Sequence, residues 1–351
     1  MKQSYYLGGT SPTGFKSKFI RQIRKPDYYT YMLKGGPGTG KSTLMKKIAN
    51  EFDDDECELY YCSSDTKSLD AVVLTKKKII VVDATAPHVF DPEIPGVSQE
   101  IINLGSFWNR DLLSSHDAAV RYYFEENAKY HAKAKRYVQA FASLNSNIYS
   151  IAENAVNKNK LDAFISRLTS KLFPKPNNEK SPCSIDYKQL SALTSFGYQT
   201  QEIADFYTVY TLNDDYFAGS DYFLRKIAER ACECGLSITI SESNMLNDTI
   251  FEHALIPELG IAFISSNFFN DRKSENSPEI NFSRFYDKSA LSLKKTHLSF
   301  DKKAVTELCS EAAEAIDTAL RIHDELEKFY IESLDINKLN EFTENLIQSI
   351  I

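Results

Sequence analysis

Nowhere does the sequence hold an apolar run approaching the roughly 18 to 20 residues of a membrane-crossing helix, and its opening MKQSYY leads into no apolar leader. These absences predict a chain that stays off the membrane and works in the cytoplasm. Positive charge is not in excess either: 41 Lys and Arg against 48 Asp and Glu leave a net charge of −7, which argues against nucleic acid as a partner. The six cysteines (Cys57, Cys62, Cys183, Cys232, Cys234 and Cys309) include no CxxC pair and no histidine at zinc-binding spacing, so reduced, mostly buried thiols are expected. What is present is ordinary for a folded protein, 42% hydrophobic and 25% charged residues. A chain of 351 residues exceeds one ordinary core, which predicts two domains.

The chemistry-bearing segment is Gly35-Gly36-Pro37-Gly38-Thr39-Gly40-Lys41-Ser42, which fits the phosphate-loop pattern G-x4-G-K-[ST]. Tyr29 to Leu33 reads as a buried strand and Thr43 to Phe52 as a helix with Leu44 and Ile48 on one face, the context the pattern requires. Glycines let the backbone turn its N–H groups toward phosphate oxygens, and the helix that follows adds its positive end. In this reading the loop from Gly35 to Thr43 binds ATP, Lys41 reaches the β and γ phosphates, and the Ser42 hydroxyl ligates Mg²⁺. Ile79-Ile80-Val81-Val82-Asp83 reads as a central parallel strand that delivers Asp83 to the ligand edge of the sheet as the second partner of Mg²⁺. Leu59 to Cys62 reads as a further strand between the two, which favours an ATPase arrangement. Asn159-Lys160-Leu161-Asp162 spells a guanine-reading motif but follows no strand, and it is read as a helix start, so ATP is preferred to GTP. No Glu follows Asp83 directly, so Asp65, Asp70 and His88 are the candidates for handling the attacking water, although loop carboxylates commonly cap turns.

The chain also repeats itself. LKGGPGTGKSTLMKKI at 33–48 aligns without gaps on LNDDYFAGSDYFLRKI at 212–227, an offset of 179, and Ile79 to Val82 matches Ile261 to Ile264 at 182. Phe107-Trp108 matches Phe285-Tyr286, and Asn159-Lys160-Leu161 matches Asn337-Lys338-Leu339, both at 178. Residues 1–173 therefore form one P-loop domain, 174–182 a proline-rich linker, and 183–351 a second, degenerate copy. In that copy Lys41 becomes Ser220, Ser42 becomes Asp221, Gly35 and Gly36 become Asp214 and Asp215, and Asp83 becomes Ser265. Each half ends in a long helix with an apolar seam, Tyr130 to Ile151 and Val305 to Phe329, and the shorter helices from Leu161 and Leu339 are expected to fold back on these. The appendages offer surface for a protein partner or self-association. Basic residues from Arg110 to Arg136 are read as a solvated face rather than a lid.

On LKGGPGTGKSTLMKKI at 33–48, YCSSDTKSLDAVV at 61–73 and VVDATAPHVFDPEIPG at 81–96, the chain resembles a group of bacterial tandem P-loop ATPases built from two similar halves. The resemblance implies two P-loop NTPase-like α/β domains with mainly parallel sheets, both generally nucleotide-competent in that group; this sequence departs from it at Asp214, Asp215, Ser220, Asp221 and Ser265, so only the first half is expected to bind nucleotide. The function expected is a Mg²⁺-dependent ATPase. A P-loop kinase acting on a nucleotide or small molecule, and a nucleotide-dependent regulatory or scaffold protein with little turnover, are the alternatives.

Overall fold

The computed structural model describes residues 2–52, 57–175, 183–204, 207–246, 250–272 and 277–350. Linker positions 176–182 lie outside the described residues. The first half opens with β1 (Gln3–Tyr6), the hairpin β2 (Gly9–Ser11) and β3 (Gly14–Lys16), α1 (Ile20–Ile23), β4 (Tyr29–Lys34) and α2 (Lys41–Glu51). It continues through β5 (Cys57–Tyr61), β6 (Leu69–Leu74), β7 (Ile79–Asp83) and β8 (Gln99–Asn103) to the helices α3 (Arg110–Ser115), α4 (Asp117–Glu153) and α5 (Lys158–Leu172). The second half follows the same plan with β9 (Ile185–Tyr187), the hairpin β10 (Ser191–Thr194) and β11 (Gly197–Thr200), β12 (Thr208–Asn213) and α6 (Ala218–Glu233). After these come β13 (Ile238–Glu242), β14 (Phe251–Ile256), β15 (Ile261–Ser266), β16 (Glu279–Asn281), α7 (Lys288–Leu293), α8 (Lys295–Glu332) and α9 (Ile336–Ile350).

The two sheets share one strand order, β8-β4-β7-β6-β5-β1 and β16-β12-β15-β14-β13-β9. The chain is thus an α/β protein of two similar six-stranded sheets, mostly parallel, and the repeat read from sequence is a repeat of topology. In the first half only β6 runs against its neighbours. Its link to β7 is the four-residue stretch 75–78, with Lys78 at φ 58°, and so short a link can join only antiparallel strands. β6 makes no appearance in the sequence reading, because a strand buried along its whole length lacks the alternation that marks half-exposed strands. Its presence also corrects the reading of strand positions. The Asp83 strand β7 pairs directly with the loop-bearing β4, Leu33 opposite Asp83, while β5 lies farther out, so no extra strand separates them.

Alternation along the strands sorts side chains into layers. Ile80 and Val82 of β7 face Leu255, Ala262 and Ile264 of the other sheet, so the sheets pack against each other through one face. Val81 points the opposite way, into a core with Leu44, Met45 and Ile48 of α2. That second core is completed by Leu339, Leu346 and Ile350 of α9, from the far end of the chain. Reciprocally, Leu161 and Ile165 of α5 pack with Phe223, Leu224 and Ile227 of α6. The short helices therefore do not fold back on their own half; each crosses to the other.

The crossing is made by α4 and α8, which pack antiparallel: Asn127 donates to the Ala319 carbonyl at 2.7 Å, Tyr137 to Glu311 at 3.1 Å and Asn147 to Asp301 at 2.5 Å. Ala134, Phe141 and Ile148 of the expected seam are buried against Val305, Ala312 and Ala315. Where the halves meet, Trp108 bridges Leu334 and Tyr286 bridges Val156, two contacts related by the same offset of 178. Arg121 pairs with Asp117 and Lys129 with Glu126 on exposed turns, as a solvated face requires. Cys183 and Cys232 are bonded, with S–S 2.13 Å, which departs from the expectation of thiols throughout; Cys57, Cys62, Cys234 and Cys309 form no disulfide among the described residues. Among the described residues no helix is long and apolar enough to cross a membrane.

Candidate functional site

The loop between β4 and α2 has the conformation its glycines permit, with Gly38 at φ 65° and Gly40 at φ 77°, left-handed values that a side chain would strain. Thr39 closes the loop by donating to the Gly36 carbonyl at 2.9 Å. Lys41 curls back so that its ammonium donates to the carbonyls of Gly35 and Gly36 at 2.7 and 2.8 Å and lies 3.6 Å from Asp83. The Ser42 hydroxyl accepts the Leu69 N–H at 3.0 Å, tying the start of α2 to β6, and Thr43 is exposed. Asp83 takes the Thr85 N–H at 2.8 Å, and the Thr85 hydroxyl returns to the Gly35 carbonyl at 3.0 Å, so the end of β7 is fastened to the loop. Burial pushes the Asp83 carboxyl above its ordinary range; Lys41 opposes this and Asp70 adds to it. Lys41, Ser42 and Asp83 are thus brought together as expected.

The other candidates divide. His88 and Asp70 are buried partners, Nε2 to Oδ2 3.1 Å, and His88 stands edge-on to Phe15 at 4.6 Å. Through Asp70 this pair acts on Asp83 electrostatically. Asp65 instead serves its own turn, accepting from Ser68 Oγ at 2.5 Å and from the Lys67 N–H at 3.1 Å. The NKLD segment lies in the first turn of α5, where Asp162 accepts from Tyr222 of the other half at 2.9 Å, so it serves as a helix start.

Sequence reasoning missed the residues that roof the loop, because they come from the second half. Glu327 of α8 accepts the Gly38 N–H through Oε1 at 3.0 Å. A methyl group built on Gly38 would meet Ile331 Cγ1 at 2.9 Å, and one on Gly36 would meet Tyr330 Cε1 at 3.1 Å and Trp108 Cζ2 at 3.4 Å. No local pattern could show a contact 289 residues apart. The matching of Phe107-Trp108 with Phe285-Tyr286 was the one available signal.

The degenerate copy shows what the corresponding turn does when it has its own anion, although its helix starts two positions earlier, with Gly219 inside α6 where Gly40 precedes α2 in a left-handed conformation. Asp214 accepts the N–H groups of Ser220 at 2.8 Å and Tyr216 at 3.1 Å, and Tyr286 donates to it at 2.9 Å. The Gly219 N–H goes to the Tyr286 oxygen at 2.7 Å. Asp215 turns outward to Lys302 at 3.0 Å, and Asp221 accepts from Tyr149 and the Phe251 N–H, the latter in the way Ser42 accepts from Leu69. In the first half, the N–H groups of Gly40 and Lys41, the counterparts of Gly219 and Ser220, have no acceptor among the described residues. Such unclaimed donors at the start of an 11-residue helix form a seat for an anion. Ser42 and Asp83 beside it are oxygen donors of the kind Mg²⁺ takes.

A groove of about 600 Å³ lies elsewhere, between the β10–β11 hairpin and α8, lined by Phe196, Tyr198, Phe268, Phe269 and Cys309. Chemistry rather than volume selects the loop. Comparison of the chain with protein-family models, curated proteins and solved structures finds no match.

Proposed function

We propose that the first half binds a nucleoside triphosphate, ATP in preference to GTP, with Mg²⁺, and that the protein is an ATPase in which only this half takes part in turnover. The observation that carries the reading is the contrast between the copies. The corresponding loop is filled by its own carboxylate in the second half and left with unclaimed donors, a lysine and a half-buried carboxylate in the first. A phosphate would take the place that Asp214 takes in the other copy, Lys41 would leave the carbonyls of Gly35 and Gly36 for it, and Ser42 and Asp83 would hold the cation. ATP is favoured because the candidate guanine reader is spent on packing. The Glu327 contact on the loop, together with the lack of a carboxylate directly after Asp83, favours a second reading in which turnover is slow and the nucleotide acts as a switch.

Titration calorimetry with a non-hydrolysable ATP analogue tests the reading. One molecule should bind per chain, and Lys41→Ala should weaken it at least about tenfold, since hydrogen bonds to charged groups contribute roughly 1.5 to 3 kcal/mol. Two sites per chain, or binding indifferent to Lys41, would overturn it. Phosphate release without any acceptor then separates an ATPase from a kinase.

A further inference from the structure

The chain carries two corresponding loops, one filled by its own anion and one open, with α6 starting two positions earlier than α2. In the second half the seated anion is the Asp214 carboxylate, held from one side by the backbone and from the other by Tyr286, whose oxygen is 2.9 Å from both carboxylate oxygens. Subtracting 178 from Tyr286 gives Trp108. The correspondence is spatial as well, since Trp108 meets Leu334 in the bridge that Tyr286 makes with Val156, and 334 − 156 is again 178. At the first loop residue 35 is glycine, so the loop brings no carboxylate of its own to the seat. Trp108 Nε1 is buried there without a hydrogen-bond partner. An indole N–H can only donate, so what completes it must be an acceptor. Cζ2 and Cη2 of its ring lie 3.4 and 3.5 Å from a methyl group built on Gly36, which sets the indole against the loop.

We propose that Trp108 Nε1–H donates to a phosphate oxygen of the bound nucleotide, taking the part that Tyr286 plays toward Asp214. The inference rests on the nucleotide reading of the loop and adds a ligand-binding residue that lies outside the loop pattern. It also gives a reason for the aromatic at this position in both copies: each must present a hydrogen-bond donor to an anion, internal in one half and external in the other.

Trp108→Phe and Trp108→Tyr separate the donor from the ring. Calorimetry with a non-hydrolysable ATP analogue and Mg²⁺ should show about tenfold weaker binding for Trp108→Phe, the loss of one hydrogen bond to a charged acceptor. Trp108→Tyr, which restores the donor used by the second half, should recover most of the affinity. Thermal melts of both variants check that the packing on Tyr330, ring centroids 5.3 Å apart, survives. Unchanged affinity in Trp108→Phe, or equal loss in both variants, would overturn the proposal while leaving the loop assignment standing. A parent protein that does not bind the analogue, or binds it independently of Lys41, would instead overturn the nucleotide reading and this proposal with it.

Discussion

Glu327→Gln tests whether the second half restrains the first. The Glu327 carboxylate accepts the Gly38 N–H at 3.0 Å, and one loop donor cannot serve both this oxygen and a phosphate. Its side chain is 35% exposed, with His323 Nδ1 3.9 Å away, so the contact is partly screened and belongs near the low end of the 1.5 to 3 kcal/mol expected for a charged acceptor. Glutamine keeps an acceptor oxygen but not the charge, which leaves a neutral bond of roughly 1 kcal/mol and removes repulsion toward a triphosphate. The net change of about 0.5 to 1.4 kcal/mol corresponds to roughly two- to tenfold tighter nucleotide binding. Calorimetry at low and high salt is the assay, because repulsion between exposed charges fades once the screening length falls to a few ångströms. Trp108, the chain's one tryptophan, packs on Tyr330 of the same helix and gives an emission signal for any shift of α8. Equal or weaker binding by Glu327→Gln, with the fold intact, would refute the idea that α8 competes with the nucleotide.

Two further outcomes are expected. Asp83→Asn should reduce turnover more than binding, because on the proposed reading the cation it would help hold neutralises charge that develops as the γ-phosphate leaves; phosphate release across Mg²⁺ concentrations checks this, and parent-like activity would remove Asp83 from the proposed site. Glu252→Gln should gain on the parent as pH rises: burial lifts the Glu252 carboxyl to about 7, so the folded state binds more protons than the unfolded one from about pH 4.5 to 7 and stability falls across that window. Buried His253, pushed down to about 3, works in the opposite sense up to about pH 6.5. Urea melts should show the variant's advantage growing by about 2 to 3 kcal/mol between pH 5 and pH 8; a constant difference would contradict it.

Local chemistry made the loop, its strand and helix, and the Asp83 strand legible, because each depends on residues within one or two turns of chain. The repeat was legible for the same reason: apolar positions recur in order, and they recur because both copies bury the same faces. Three things were hidden. β6 is buried on both faces and so carries no period. The order of strands depends on hydrogen bonds between β4 and β7, whose starts lie 50 residues apart, and sequence adjacency misplaced β5. The destination of α5 and α9 was invisible because an amphipathic helix declares which face is buried but not against what. The helices from Leu161 and Leu339 were assigned to the wrong neighbours, since Leu161 packs with α6 and Leu339 with α2.

The exchange of helices explains why a copy without the lysine would be retained. Leu339, Leu346 and Ile350 of α9 are at most 8% exposed in the core beneath the phosphate loop. At roughly 1.5 to 3 kcal/mol for each buried side chain, they contribute an amount comparable with the 5 to 15 kcal/mol by which whole domains are stable. A first half deprived of α9 would lose much of its margin, and the second half stands in the same debt to α5. Gly40 makes the link to the site direct, since a methyl group there would meet Leu339 Cδ2 at 3.1 Å. The loop's own shape is thus packed against the second copy. Substitutions such as Asp214 for glycine and Ser220 for lysine cost that copy its anion seat but touch none of the surfaces it lends. Selection for the first site therefore acts on the whole chain, and it can hold α8 and α9 in place while the loop between β12 and α6 drifts toward self-satisfaction.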